Sequence, residues 1–172
     1  MKKITTKFKN LLIFKGIYHK DKRGFFRELA IEKEIGSKLI FYVMSKSKKN
    51  VLRGLHFQSK DPQGKYLSVV KGKIFDVALD CRVKSKTFGK YFEIILSDKN
   101  CKSIFIPPGF AHGFVGLEKE NIIIYGCTKY RSKNNEEGII WNDPSLNIKW
   151  PIKKPIISIK DQNNKTFKEY FG

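Results

Sequence analysis

His19, His56 and His112 are the only histidines in this 172-residue chain, and histidine is the side chain that most readily moves protons near neutral pH. His56 stands in Val51-Leu52-Arg53-Gly54-Leu55-His56-Phe57-Gln58, an apolar run of strand character. A strand inside a barrel wants valine, leucine and phenylalanine. It does not want a guanidinium, which almost never goes inside unpaired. Strict alternation sends Arg53 and His56 to opposite faces. Gly54 between them permits a bulge that re-aims one side chain, so that both can meet in one cavity. Taken alone, the run reads as an edge strand with Arg53 snorkelling to water and His56 a satisfied core residue. The other motifs reverse that reading.

His56, Lys65, His112, Tyr125 and Asp161 together supply what proton transfer beside a ketone requires. A base must take a carbon-bound proton. A cation or donor must hold the enolate oxygen, and an acid must return a proton to the other face. A histidine is the natural base, and a carboxylate on its far nitrogen fixes the tautomer and raises its basicity. A tyrosine opposite can donate. That is epimerisation without a cofactor. Each residue also has a dull alternative: Lys65 as one more surface lysine, Tyr125 as packing, Asp161 as a turn residue. A metal barrel would need a His-x-His pair, and Leu55 precedes His56 while Phe57 and Gln58 follow it. No glycine-rich nucleotide fingerprint is present either, so neither a metal nor an organic cofactor is expected.

The totals bound the class. At 172 residues and 20.0 kDa the chain is expected to form a single domain, 1–172, with a sizeable core. Hydrophobic residues make up 41%, and 14 phenylalanines and 7 tyrosines suit a β-rich protein. No apolar run approaches the roughly 18 residues that would span a membrane, and the basic N-terminus leads into no signal-type core. Cys81, Cys101 and Cys127 are odd in number and irregularly spaced, as free thiols in a reducing compartment would be. A cytoplasmic protein is expected. The net charge of +19 comes mostly from lysine, with arginine only at positions 23, 27, 53, 82 and 131. Scattered lysines read as a solvated surface that attracts an anionic substrate, not as a nucleic-acid site. A basic β-barrel that binds nucleic acid is the non-enzymatic alternative, and exposed clustered aromatics would support it.

The elements that must position these residues are short strands. Thr5–Tyr18 holds one or two, Leu29–Ser37 a short helix stopped by Gly36, and Lys38–Ser45 a strand before a polar turn at Lys46–Asn50. Val51–Gln58 is a strand. Lys65–Val70 and Lys73–Val83 are strands joined at Lys71-Gly72, which reads as a hairpin. Asp76 and Asp80 share a face there, which argues for a polar interior or a solvent face. Gly89–Leu96, Lys102–Ile106 and Asn121–Tyr130 are further strands. Pro107-Pro108-Gly109 makes a corner before His112. Arg131–Gly138 is a polar loop, and an irregular tail runs from Trp150 to Asp161 before a terminal helix. Many short strands with little helix predict an all-β antiparallel sandwich or barrel.

Arg53-Gly54-Leu55-His56-Phe57 resembles the central motif of the nucleotide-sugar 4-keto 3,5-epimerases, the dTDP-4-dehydrorhamnose 3,5-epimerase family. The resemblance runs from about Leu12 to Asp161. It implies a cupin-type jelly roll with short peripheral helices, usually a homodimer. The implied substrate is a nucleotide-diphosphate 4-keto-sugar, in surface-polysaccharide sugar biosynthesis. By the same resemblance, His56 is the base, Asp161 its carboxylate partner, Lys65 the enolate-stabilising lysine and Tyr125 the acid. Arg53 and His112 fall at substrate-contacting positions, and Asp76 at a supporting one. Arg23, Phe26 and Glu28, in Arg23-Gly24-Phe25-Phe26-Arg27-Glu28, match a segment that contacts the nucleotide and diphosphate, partly across a dimer interface. The chain departs from the pattern at Phe41 and Val43, where relatives often carry glutamine and asparagine. Arg131 replaces a second tyrosine, with Tyr130 beside it. These departures keep open a GDP-linked 4-keto-6-deoxy-heptose in place of dTDP-4-keto-6-deoxyglucose. A ketoisomerase on a similar fold is a further alternative.

Overall fold

Short runs rich in β-branched and aromatic residues, punctuated by glycine, proline and Asx-rich turns, form thirteen strands in the computed structural model, which describes residues 1–172. Numbered along the chain, the first sheet holds β1 (Lys2–Thr5), β2 (Leu12–Lys15), β5 (Phe41–Lys48), β7 (Lys65–Lys71), β10 (Lys102–Ile106) and β12 (Glu120–Cys127). Its order is β1-β2-β10-β7-β12-β5. The second sheet holds β6 (Leu52–Gln58), β8 (Lys73–Asp80), β9 (Tyr91–Ser97), β11 (Phe110–Gly116) and β13 (Glu136–Gly138), in the order β13-β6-β11-β8-β9. A small hairpin of β3 (His19–Asp21) and β4 (Gly24–Phe26) stands apart. All strand pairs are antiparallel. From β5 onward the chain crosses between the two sheets at every connection except β8 to β9, so the all-β expectation holds as a jelly roll.

That crossing corrects one expectation. Lys71-Gly72 is not a hairpin: β7 lies in the first sheet and β8 in the second. Gly72 has φ +86°, and a Cβ there would meet the Glu120 carbonyl at 2.2 Å. Its N–H donates to Asp98 at 3.0 Å. The same glycine chemistry serves a hairpin or a corner, and the choice falls to burial. Every residue of β8 after Lys73 is buried. Ile74 and Ala78 enter the core between the sheets, with Leu67, Ile104 and Phe114. Phe75, Val77 and Leu79 enter a second core on the outer face. A strand with two apolar faces needs a cover on both. The outer cover is the C-terminal tail, whose Trp150, Phe167 and Phe171 pack there, so the irregular tail is a packed strap.

Two boundaries also move. β5 runs on to Lys48, through residues expected to turn, because Lys46 pairs across the sheet with Ile122. Within the expected loop 131–138, Glu136–Gly138 forms β13 against β6. The helix in 29–37 is one turn, α1 (Glu32–Ile35), ended by Gly36 at φ +75°. α2 (Ile159–Gln162) and α3 (Phe167–Phe171) close the chain.

Candidate active site

Gly54 shapes the strand that carries the histidine. On β11, His112 faces His56 and Phe114 faces Arg53. Three residue steps on β6 therefore span two on β11, which is a bulge. The bulge brings Arg53 and His56 to the same cavity despite their odd spacing. Gly54 has φ +128°, and a Cβ there would sit 2.5 Å from the Gly113 Cα, so only glycine fits.

The cavity opens between the sheets, with a volume of about 630 Å³, within the usual range of small-ligand sites. The second sheet contributes Arg53, His56 and His112, and the first contributes Ser45, Lys65, Tyr125 and Cys127. Ile156, Ser158, Lys160 and Asp161 from the C-terminal strap close one side.

Two histidine–carboxylate pairs line it. His56 Nε2 meets Asp161 Oδ1 at 2.6 Å, and the Gly54 N–H donates to Asp161 Oδ2 at 3.3 Å. Asp161 is placed by α2: Ser158 caps the helix by accepting from the Asp161 N–H at 3.1 Å. Burial pushes the Asp161 pKa up, but the bonds from His56 and Gly54 outweigh it and hold the carboxyl below its ordinary value. An ionised Asp161 accepts from Nε2–H, which leaves the Nδ1 lone pair as the basic position. His112 Nε2 meets Asp76 Oδ2 at 2.7 Å, both buried, and Asp76 Oδ1 has no partner within the chain. His112 and His56 are cross-strand neighbours.

Lys65 is half-buried on β7, with Nζ 3.5 Å from the His56 carbonyl oxygen. Desolvation lowers its pKa, against the pull of Cys127, Glu136 and Asp76. Tyr125 stands on the opposite sheet from His56, and its hydroxyl pairs with Ser45 Oγ at 3.0 Å. Burial raises the Tyr125 pKa well above that of a free phenol, with the Ser45 bond working the other way. Burial likewise raises the Cys127 thiol, which Lys65 opposes.

The remaining expected residues divide. Arg53 lies at the cavity with its Nε donating to Ser47 Oγ at 3.0 Å. Arg131 lies there too, bonded to Glu136 at 2.8 Å, and Lys160 reaches the same carboxylate at 3.0 Å. Burial opposes ionisation of Glu136, yet these two cations bring its pKa down to about 2. Phe41 and Val43 make an apolar stretch of wall. Tyr130 is exposed outside the lining, its ring 5.9 Å from Phe41. Arg23, Phe26 and Glu28 are exposed and lie outside the cavity of their own chain. Arg23 pairs there with Asp21.

Sequence reasoning missed Ser45, Glu136 and Lys160. Ser45 and Ser47 alternate on β5 and so share a face, which was a usable signal. Glu136 gave none, since an acidic pair in a polar stretch reads as solvated.

No group of three or more histidine, cysteine or acidic side chains is arranged to hold a metal ion. What the site offers is a carboxylate-paired histidine, a desolvated lysine and a phenol around a cavity between two sheets. Such a cavity in a jelly roll places the chain among the cupin-type folds. The chain belongs to the dTDP-4-dehydrorhamnose 3,5-epimerase family, whose sequence profile matches residues 5–169. It is 43% identical to the dTDP-4-dehydrorhamnose 3,5-epimerase of Shigella flexneri over 174 residues, covering 97% of this chain and 96% of that one. The crystal structure of the epimerase from Elizabethkingia anophelis superposes with a TM-score of 0.91 at 38% identity, covering 98% and 97% of the two chains. The Legionella pneumophila enzyme, solved with dTDP-4-keto-L-rhamnose, superposes equally well at 40% identity, covering 96% and 92%. The protein is thus an isomerase, an epimerase of nucleotide sugars.

Proposed function

We propose that residues 1–172 form one epimerase unit that inverts C3 and C5 of dTDP-4-keto-6-deoxyglucose, a step toward surface polysaccharide. The observation that carries this reading is His56 on one sheet, paired with Asp161 of the strap, with Lys65 and Tyr125 on the other sheet. Both C3 and C5 lie next to the C4 ketone, so a proton on either is acidic enough for an imidazole base. His56 Nδ1 takes the proton, and Asp161 stabilises the imidazolium that forms. The C4 oxygen becomes an enolate, held by the Lys65 ammonium. Tyr125 then donates from the opposite face, and the carbon is inverted. Arg53 and Arg131 supply charge for the diphosphate. His112, locked by Asp76, contacts the sugar. No metal or organic cofactor takes part.

The apolar wall at Phe41 and Val43, with Arg131 nearby, favours a second reading in which the nucleotide and sugar differ, as in a GDP-linked 4-keto-6-deoxy-heptose. One experiment separates the two. The protein is incubated in deuterium oxide with each 4-keto sugar nucleotide, and deuterium is located by NMR. Label at both C3 and C5 of the dTDP sugar with inverted product supports the first reading. Label at C3 alone narrows it to a 3-epimerase. Turnover of the GDP-heptose only would replace the nucleotide and sugar. Appearance of a 3-keto product would point to ketoisomerisation.

We also propose that the chain acts as a homodimer. Arg23, Phe26 and Glu28 then serve the nucleotide end of the partner's cavity, since they do not line their own. Phe25 and Phe26 are both more than 60% exposed in the single chain, which a partner surface would cover.

A further inference from the structure

Tyr125 is buried, and its hydroxyl has one hydrogen-bond partner in the chain, Ser45 Oγ at 3.0 Å. Ser45 is half-buried and lines the same cavity, and its Oγ bonds to nothing else. Its neighbour along the same face, Ser47, is already engaged by Arg53. The two residues come from adjacent strands: Tyr125 pairs with Val43 and Ser45 with Ile123, so the hydroxyls meet on the diagonal. On this cavity wall the other protic groups are Lys65 and Cys127, and neither bonds the phenol.

A buried acid that has given its proton away has to be recharged. Burial disfavours the Tyr125 phenolate, so the phenol is the form to which it must be restored. Tyr125 sits on the buried face of its strand and reaches open space only through the cavity that Ser45 also lines. We propose that Ser45 is the positioning residue of Tyr125, aiming the phenol at the sugar and relaying a proton back to it after each inversion. This rests on the reading of Tyr125 as the acid. The protons balance. The Tyr125 O–H bond breaks as the new C–H bond forms. The Ser45 O–H bond breaks as the Tyr125 O–H bond re-forms, and cavity water reprotonates Ser45. The His56 imidazolium returns the abstracted proton to solvent.

Four variants test this: Ser45→Ala, Ser45→Thr, Tyr125→Phe and the double variant Ser45→Ala/Tyr125→Phe. Each is scored for deuterium exchange into the substrate and for inverted product. Ser45→Ala should lower inversion about ten-fold, the effect of one hydrogen bond of roughly 1.4 kcal/mol, while exchange stays near normal. Ser45→Thr keeps the hydroxyl and should restore inversion. The double variant should be no worse than Tyr125→Phe, since Ser45 acts only through that phenol. If Tyr125→Phe shows the split but Ser45→Ala matches wild type, the Ser45 proposal alone falls. If Ser45→Ala loses exchange and inversion equally, Ser45 only packs, and the proposal again falls. If Tyr125→Phe itself loses both equally, Tyr125 is not the acid, and the reading and the proposal fall together.

Discussion

At the scale of single residues, the proposed mechanism gives different tasks to groups of similar kind. His56 and His112 are cross-strand neighbours, each bonded through Nε2 to a carboxylate. They differ in access: His112 is buried with Asp76, whereas His56 is half-buried and faces the cavity. The base is therefore expected at His56. His56→Asn should cut both exchange and inversion by about 10²- to 10⁴-fold and leave the circular dichroism spectrum unchanged. Near-normal exchange in the purified variant would move the base elsewhere. Lys65 gives a pH signature. Desolvation lowers its pKa, so its ammonium is lost at a lower pH than that of a free lysine. If Lys65 holds the enolate as proposed, exchange should fall along an alkaline limb that begins below the free-lysine range. Lys65→Met should remove the limb and lower exchange by about 10²- to 10³-fold, as loss of an oxyanion donor does. A limb that persists in the variant would belong to another group.

At the scale of elements, the strand Val51–Gln58 was legible because its polar residues broke an apolar pattern, and Gly54 announced the bulge. The bulge makes a prediction of its own. Gly54→Ala forces a Cβ into the Gly113 backbone at a φ that alanine avoids. It should cost about 1–3 kcal/mol of stability, as overpacking does, and misdirect His56. Urea unfolding and exchange activity should both drop, and a stable, active variant would mean that β6 can slide. Strand partners were not legible. Lys71-Gly72 carries the turn chemistry of a hairpin, yet the two flanking strands go to different sheets, because only burial on both faces of β8 decides. Glu136–Gly138 was unreadable as a strand for a related reason: its three residues pair only because β6 offers an edge.

The same β8 ends in a polar anchor. Asp80 has no exposed side chain, and it holds Arg82, Ser85 and Thr87 of the following loop. Burial opposes its ionisation, but these bonds lower its pKa from 3.8 to about 2. A carboxyl with a depressed folded pKa adds stability that is fully present above its unfolded pKa. That stability is lost as pH falls through the folded one. Asp80 should therefore contribute about 2 kcal/mol that disappears between roughly pH 4 and pH 2. The acid slope of the urea midpoint should be shallower in Asp80→Asn than in wild type. Parallel slopes would assign the acid sensitivity to other carboxyls, with Glu136 next.

At the scale of the whole molecule, charge and surface must be read together. The net charge of +19 is spread widely, and several lysines are tied in pairs, as Lys46 and Lys71 are with Glu120. Such a surface gives a field that draws a dianionic sugar nucleotide inward without specifying it. No helix is long and apolar enough to cross a membrane. The arginine most similar to a nucleotide contact, Arg23, lies on a separate hairpin with Phe25 and Phe26 exposed beside it. A single chain therefore holds the chemistry in one place and the expected nucleotide contacts in another. If two chains exchange these parts, two different inactive variants should rescue each other. His56→Asn has no base but keeps its hairpin. Arg23→Ala/Phe26→Ala keeps its base but lends a damaged hairpin. In a mixed dimer, the cavity of the hairpin variant receives an intact hairpin from the His56→Asn chain and regains every group. The other cavity has neither. After subunit exchange at equal concentrations, half the dimers are mixed, so about a quarter of all sites should recover. Light scattering should report two chains throughout. Failure to recover activity, with subunit exchange verified by mass spectrometry, would confine Arg23 and Phe26 to their own chain and leave the nucleotide to Arg53 and Arg131 alone.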